Sequence, residues 1–168
     1  DGFMLLMVIA GNETTRNTIT GGLIALSQNP EERQKLINDP SLISNAADEM
    51  LRWVSSVIYM RRTAACDTEI RGQSIKKGDK LILWYGAANR DEEVFKDAHL
   101  FKVDRKDAAK HIAFGAGQHL CLGHRLGKLQ IKILYEELLA RFPNIEVVSE
   151  PTRIPSNFLD GISHLKVR

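Results

Sequence analysis

Cysteine is nearly missing from this chain: among its 168 residues there are two, Cys66 and Cys121, far apart. Such scarcity excludes a disulfide framework and suits a reducing, cytoplasmic setting, although the sequence does not exclude a membrane anchor outside this stretch. Long hydrophobic runs are missing too. Met4-Leu5-Leu6-Met7-Val8-Ile9-Ala10 is too short to span a bilayer and has no charged flank of the signal-peptide kind. An excess of one charge is also absent: 23 Lys and Arg against 21 Asp and Glu leave a net +2, which gives no ground for a nucleic-acid partner. No repeat, low-complexity tract or linker interrupts the chain. What remains, 43% hydrophobic and 26% charged, is the composition of a globular protein with one sizeable core.

The first strong pattern is helical. Residues 3–27 read as one long, mostly buried helix, interrupted by Ala10-Gly11-Asn12-Glu13-Thr14-Thr15. Glycine there costs about 1 kcal/mol against alanine, and buried polar groups need partners. Thr14 stands four residues after Ala10, so its hydroxyl can take that carbonyl and open a groove in the helix. The rival reading is a capping box from Asn12 to Thr15.

Pro30 opens a second helix to about residue 38, Asp39-Pro40 breaks it, and residues 42–54 form a third with Ile43, Ala46, Ala47, Met50 and Leu51 inward. Glu49 and Arg52 share a face of that helix. Strand-like segments follow at 57–60, 62–64, 68–70, 74–75 and 81–84, enough for one small sheet. Residues 87–95 read as a short helix, followed by a coil through Lys110. The clearest helix spans 123–142, with Leu122, Leu126, Leu129, Ile133 and Leu138 as its expected inward stripe and Arg125, Lys128 and Lys132 opposite. Strand pieces at 145–148 and 165–167 flank the loop Ser156-Asn157-Phe158-Leu159-Asp160-Gly161.

Just before that clearest helix lies Phe114-Gly115-Ala116-Gly117-Gln118-His119-Leu120-Cys121-Leu122-Gly123. Gly115, Gly117 and Gly123 allow positive φ and close approach of backbone to a flat partner. The helix that follows would aim its positive end back at the sulfur, which suits an anionic metal ligand. The residues alone also admit a plain buried cysteine, a zinc site using His119, Cys121 and His124, or a cysteine nucleophile partnered by His111, His119 or His124.

The decapeptide resembles the haem-ligand signature of the cytochrome P-450 family, Phe-Gly-x-Gly-x-His/Arg-x-Cys-x-Gly, with every specified position filled. By that resemblance the fold is mainly α with a small β-sheet, and residues 1–168 are the C-terminal portion of a single domain whose N-terminal half is absent. Cys121 would be the thiolate ligand of haem b iron, with Phe114, Gly115, Gly117 and Gly123 shaping the loop. His119, Arg62 and His111 would meet the propionates. The 10–15 hexapeptide resembles the family's oxygen-binding signature. It implies that Ala10 and Gly11 border the haem, that Thr14 hydrogen-bonds dioxygen and that Glu13 relays protons.

Glu49 and Arg52 resemble the family's Glu-x-x-Arg pair, completed by Arg105 as a structural network. Val57, Ile58, Phe158 and Leu159 would line the substrate pocket. The implied function is insertion of one oxygen atom from O2 into an apolar substrate, a steroid or branched lipid by the look of bacterial members. Electrons would come from NAD(P)H through a ferredoxin-type donor and its reductase, docking on the cationic row. The alternatives are a peroxide-driven haem-thiolate enzyme, or a non-catalytic haem-binding fragment or sensor.

Overall fold

The computed structural model describes all 168 residues. Helix α1 (Gly2–Gln28) runs unbroken through the polar interruption, and only its second half is buried, through Asn17, Thr18, Gly22, Ala25 and Leu26. The expectation of a mostly buried helix is therefore corrected for its first half. Residues Phe3 to Ile9 are all more than 40% exposed, because no element of this chain packs on them.

Pro30 occupies the first turn of α2 (Pro30–Asn38), with Glu31 and Glu32 beside it at the helix's positive end. A 3-10 turn at Pro40–Leu42 leads into α3 (Ile43–Val54), and the Asp39 side chain accepts from the Ser41 amide to start it. Helix α3 is the centre of the molecule, buried on several sides at once: Ile43, Ala46, Ala47, Met50 and Leu51, together with Asp48, Glu49 and Arg52. It ends at Ser55 in the left-handed region, φ 47°.

Helix α5 (His124–Arg141) completes the core, but not with the expected stripe. Its buried positions are Gly127, Ile131, Tyr135 and Leu139, with Leu138 partly buried beside them. Leu122, Leu126, Leu129 and Ile133 instead lie 48–74% exposed. The core cluster joins α1, α3 and α5 through Ala25, Leu26, Met50, Ile131 and Tyr135. The Tyr135 hydroxyl donates to the Ile19 carbonyl at 2.7 Å, and burial pushes its phenol up, keeping the donor proton in place.

In place of one small sheet the strands form three antiparallel pairs. β1 (Tyr59–Thr63) pairs with β4 (Lys80–Trp84), with Arg62 opposite Leu81. β2 (Thr68–Ile70) and β3 (Gln73–Ile75) close a hairpin over Arg71 and Gly72, both at positive φ as a two-residue hairpin turn demands. β5 (Thr152–Ile154) pairs with β6 (Gly161–His164), and the expected strand pieces near residues 147 and 167 meet at an antiparallel bridge, with Glu146 and Arg168 exchanging backbone hydrogen bonds and the Val148 amide donating to the Lys166 carbonyl. The helix expected over 87–95 is α4 (Tyr85–Ala88), because the Asp91 side chain takes the Glu93 amide and turns the chain instead. No helix is long and apolar enough to cross a membrane.

Candidate functional site

Residues 114–121 form a loop closed on itself: the Cys121 amide donates to the Phe114 carbonyl at 2.9 Å. Gly115 and Gly117 take φ of 73° and 64°, the left-handed region. A Cβ on Gly115 would also come within 3.2 Å of the Tyr85 hydroxyl and 3.3 Å of the His119 carbonyl. Gly123 departs from the expectation of positive φ. It sits at −85° as the residue before α5, and a Cβ there would lie 3.9 Å from the Cys121 sulfur. The His124 amide and ring Nδ1 both approach the Cys121 carbonyl, at 3.2 and 2.8 Å, fixing the cysteine to the first turn of α5.

In front of the loop opens a pocket of about 340 Å³. Cys121, Phe114 and His119 line it from the loop, Ala10 and Thr14 from α1, and Arg62 from β1. These six residues span more than a hundred positions of sequence and share one cavity. Leu51, Val57, Met60, Ala113 and Ile131 give it an apolar wall. Thr14 donates to the Ala10 carbonyl at 2.7 Å, the back-bond that the four-residue spacing predicts.

Other residues lie elsewhere. Glu13 pairs with Arg16 one turn on and is off the pocket wall, and Gly11 is exposed. His111 is turned away: its Nδ1 accepts from the Ala113 amide at 3.2 Å and its Nε2 faces Asp48 at 3.7 Å, so both ring nitrogens are engaged by protein groups. Of the four expected substrate contacts only Val57 lines this pocket. Extended neighbours point to opposite sides, and Ile58 faces a second hollow of about 510 Å³ beside Trp53 and Arg90. Leu159 bridges to Val57, while Phe158 is exposed against the Tyr59 ring.

Behind the site, Glu49, Arg52 and Arg105 meet with almost no exposure. Arg52 grips Glu49 with two bonds, Nε to Oε2 at 2.6 Å and an Nη to Oε1 at 2.8 Å. Its other donors take the carbonyls of Asn89, Ala98 and Leu100. Arg105 Nε lies 3.0 Å from Glu49 Oε2 but is not aligned to donate to it, so that contact is charge attraction alone. Removing one partner would strand a buried charge, the costly way to break such a network. Sequence reasoning missed Asn89, wholly buried, whose side chain joins Ser55 to the Ile112 amide and so ties α3 to the approach of the cysteine loop. It also missed Thr18 and Tyr85 on the pocket wall. Only Thr18 carried a signal, lying one turn after Thr14 on the same face.

The chemistry of the donors tests which group the site suits. No three His, Cys, Asp or Glu side chains cluster as metal ligands, which removes the zinc reading built on His119, Cys121 and His124. A single thiol at the wall suits a metal that brings its other ligands with it. Arg62 makes no ion pair within the chain, donating only to the Arg61 carbonyl, and His119 stands beside the same cavity. Two cationic or polar donors around an apolar slot fit a flat, largely hydrophobic group carrying carboxylates, as haem does.

A cytochrome P450 family model matches residues 39–164. Linalool 8-monooxygenase of Pseudomonas putida is 46% identical over 99% of this chain and 41% of its own length. A methyl-branched lipid omega-hydroxylase of Mycobacterium tuberculosis is 44% identical over 98% of this chain and 39% of its own. The solved cytochrome P450-153 of Novosphingobium aromaticivorans superposes with a TM-score of 0.92 at 45% identity, over 98% of this chain and 42% of that one. The chain thus spans about two fifths of the length of the curated relatives it matches. With the family match covering α3 through β6 and the cysteine loop facing one shared cavity, the chain belongs to the cytochrome P450 family.

Proposed function

We propose that residues 1–168 are the C-terminal portion of a single haem-thiolate monooxygenase domain, acting on an apolar, branched, lipid-like, terpenoid or steroid substrate. The observation that carries this reading is the cavity shared by Thr14, Arg62, His119 and Cys121. Cys121 would hold the iron of haem b through its sulfur, which stands just before a helix whose positive end favours negative charge. Arg62 and His119 would hold the haem carboxylates from the same pocket wall. Haem would supply the oxygen chemistry, in which dioxygen with two electrons and two protons gives one oxygen atom to the substrate and one to water.

The chain's own residues govern access and protons. Thr14 keeps a hydroxyl proton on the pocket wall, resting on the Ala10 carbonyl. Glu13, one-third exposed and paired with Arg16, exchanges protons between solvent and that wall. Val57, with Leu159 bridged to it, presents apolar surface to substrate. The linalool and methyl-branched-lipid relatives support a branched aliphatic substrate class.

Electrons come from NAD(P)H through an acidic ferredoxin-type donor and its reductase. Arg125 is left as the unpaired docking cation of the row, because Lys128 is engaged by Asp48 and Lys132 by Glu136. The test is the spectrum of the reduced carbon-monoxide complex of the complete protein. A red-shifted thiolate band is expected, lost in Cys121→Ser; a band at the imidazole-ligated position in the parent rejects the assignment.

A further inference from the structure

Two buried hydroxyls converge on one backbone carbonyl at the pocket wall. Thr18 Oγ1 lies 2.9 Å and Ser56 Oγ 3.1 Å from the Thr14 carbonyl oxygen, and the two hydroxyl oxygens are 2.7 Å apart. Both residues line the pocket, and they are 3% and 6% exposed. Each hydroxyl carries one proton, so two protons serve three short contacts. At any moment one hydroxyl donates to the carbonyl and the other donates to its neighbour, and the roles can exchange. Either residue alone can therefore satisfy the Thr14 carbonyl.

The partners come from different parts of the chain. Thr18 belongs to α1, whereas Ser56 follows α3. The segment around Ser56 is itself laced to the 156–160 loop: the Asp160 amide donates to the Ser56 carbonyl at 2.9 Å, the Ile58 amide to the Phe158 carbonyl at 2.9 Å, and Val57 bridges Leu159. Backbone that carries the candidate substrate contacts is thus hydrogen-bonded, through one side chain, to the residue that holds the candidate proton. Apolar side chains of the same shape would avoid the desolvation of two hydroxyls, so their placement at this carbonyl is informative.

We infer that Thr18 and Ser56 are positioning residues for Thr14, fixing its turn of α1 against the segment that meets substrate. This rests on the reading of Thr14 given above. The experiment compares Thr18→Val, Ser56→Ala, the double variant and Thr14→Ala in the complete haem-loaded protein. Two quantities are measured: the share of reducing equivalents lost as hydrogen peroxide, which takes O2, two electrons and two protons, and amide exchange over residues 14–18.

Because only Ser56 spans the two elements, Ser56→Ala changes both readouts about fivefold, the weight of one ordinary hydrogen bond, and Thr18→Val, which leaves the Ser56 contact in place, less than about twofold. A Ser56→Ala variant that leaves exchange unchanged, or a Thr18→Val variant that speeds it as much, overturns the inference. If Thr14→Ala fails to raise peroxide while exchange responds as described, the reading of Thr14 falls and the positioning stands. The double variant matches Ser56→Ala to within about twofold, because the remaining Thr18 contact lies inside α1, and a larger effect overturns the proposal.

Discussion

Asp48 shows how one residue can bind three elements by charge. From α3 its carboxylate receives Lys128 Nζ of α5 at 2.6 Å and faces His111 Nε2, on the approach to the cysteine loop, at 3.7 Å. Burial pushes the carboxyl up, but His111 and Lys128 outweigh it and hold Asp48 below the usual carboxylate range. A folded value below the unfolded one, about 3.9, means stability that is present above that pH. It is lost as pH falls from there through the folded value. Asp48→Asn should therefore weaken the protein at neutral pH and flatten this part of its acid sensitivity. Urea unfolding of parent and variant at neutral and acidic pH measures both, and an unchanged acid slope in the variant contradicts the argument.

At the scale of elements, the crossing of α1 with α3 and α5 is set by Gly22. A Cβ there would meet the Tyr135 hydroxyl at 2.8 Å and the Met50 sulfur at 2.9 Å, the first of which is tied to the Ile19 carbonyl. Overpacking a filled core costs roughly 1–3 kcal/mol, so Gly22→Ala should lower unfolding free energy by that order. Thermal melting reads the effect, and a variant as stable as the parent would mean the helices can part freely.

Much at this scale was legible in the sequence because its causes are local. Pro30 with its acids starts α2, and three-residue spacing puts Glu49 beside Arg52. The inward face of α5 was not legible. Leu122, Leu126, Leu129 and Ile133 make a helical stripe as regular as Gly127, Ile131, Tyr135 and Leu139, and the leucine-rich one looks the better core. Which stripe is buried depends on where α1 and α3 stand, a fact of tertiary packing. The Thr18 and Ser56 pair was hidden for the same reason, its partners being 38 positions apart. The cysteine loop was readable as a unit because its glycines and cysteine are contiguous, whereas the contact of His111 with Asp48 was not, because Asp48 lies far back in the sequence on α3.

Over the whole molecule, apolar surface is distributed as in a part of something larger. Leu122 is 74% exposed and Leu126 59%, and at the far end of α1 Met4 is 70% and Val8 66% exposed. Monomeric proteins rarely leave contiguous apolar patches of more than a few hundred Å² in water. The solved relative that superposes on this chain has it over only 42% of its own length, so much of that fold lies outside these residues. Isolated, the 18.9 kDa chain should self-associate and bind a polarity-sensitive dye, while Leu122→Glu with Leu126→Glu should shift it toward monomer and reduce dye binding. It should also fail to turn over substrate when given haem and reductant, since one cavity wall cannot enclose an apolar molecule or exclude water. Light scattering, dye fluorescence and product analysis test these outcomes, and a monomer that hydroxylates at the rate of the complete protein would show that residues 1–168 hold the entire site.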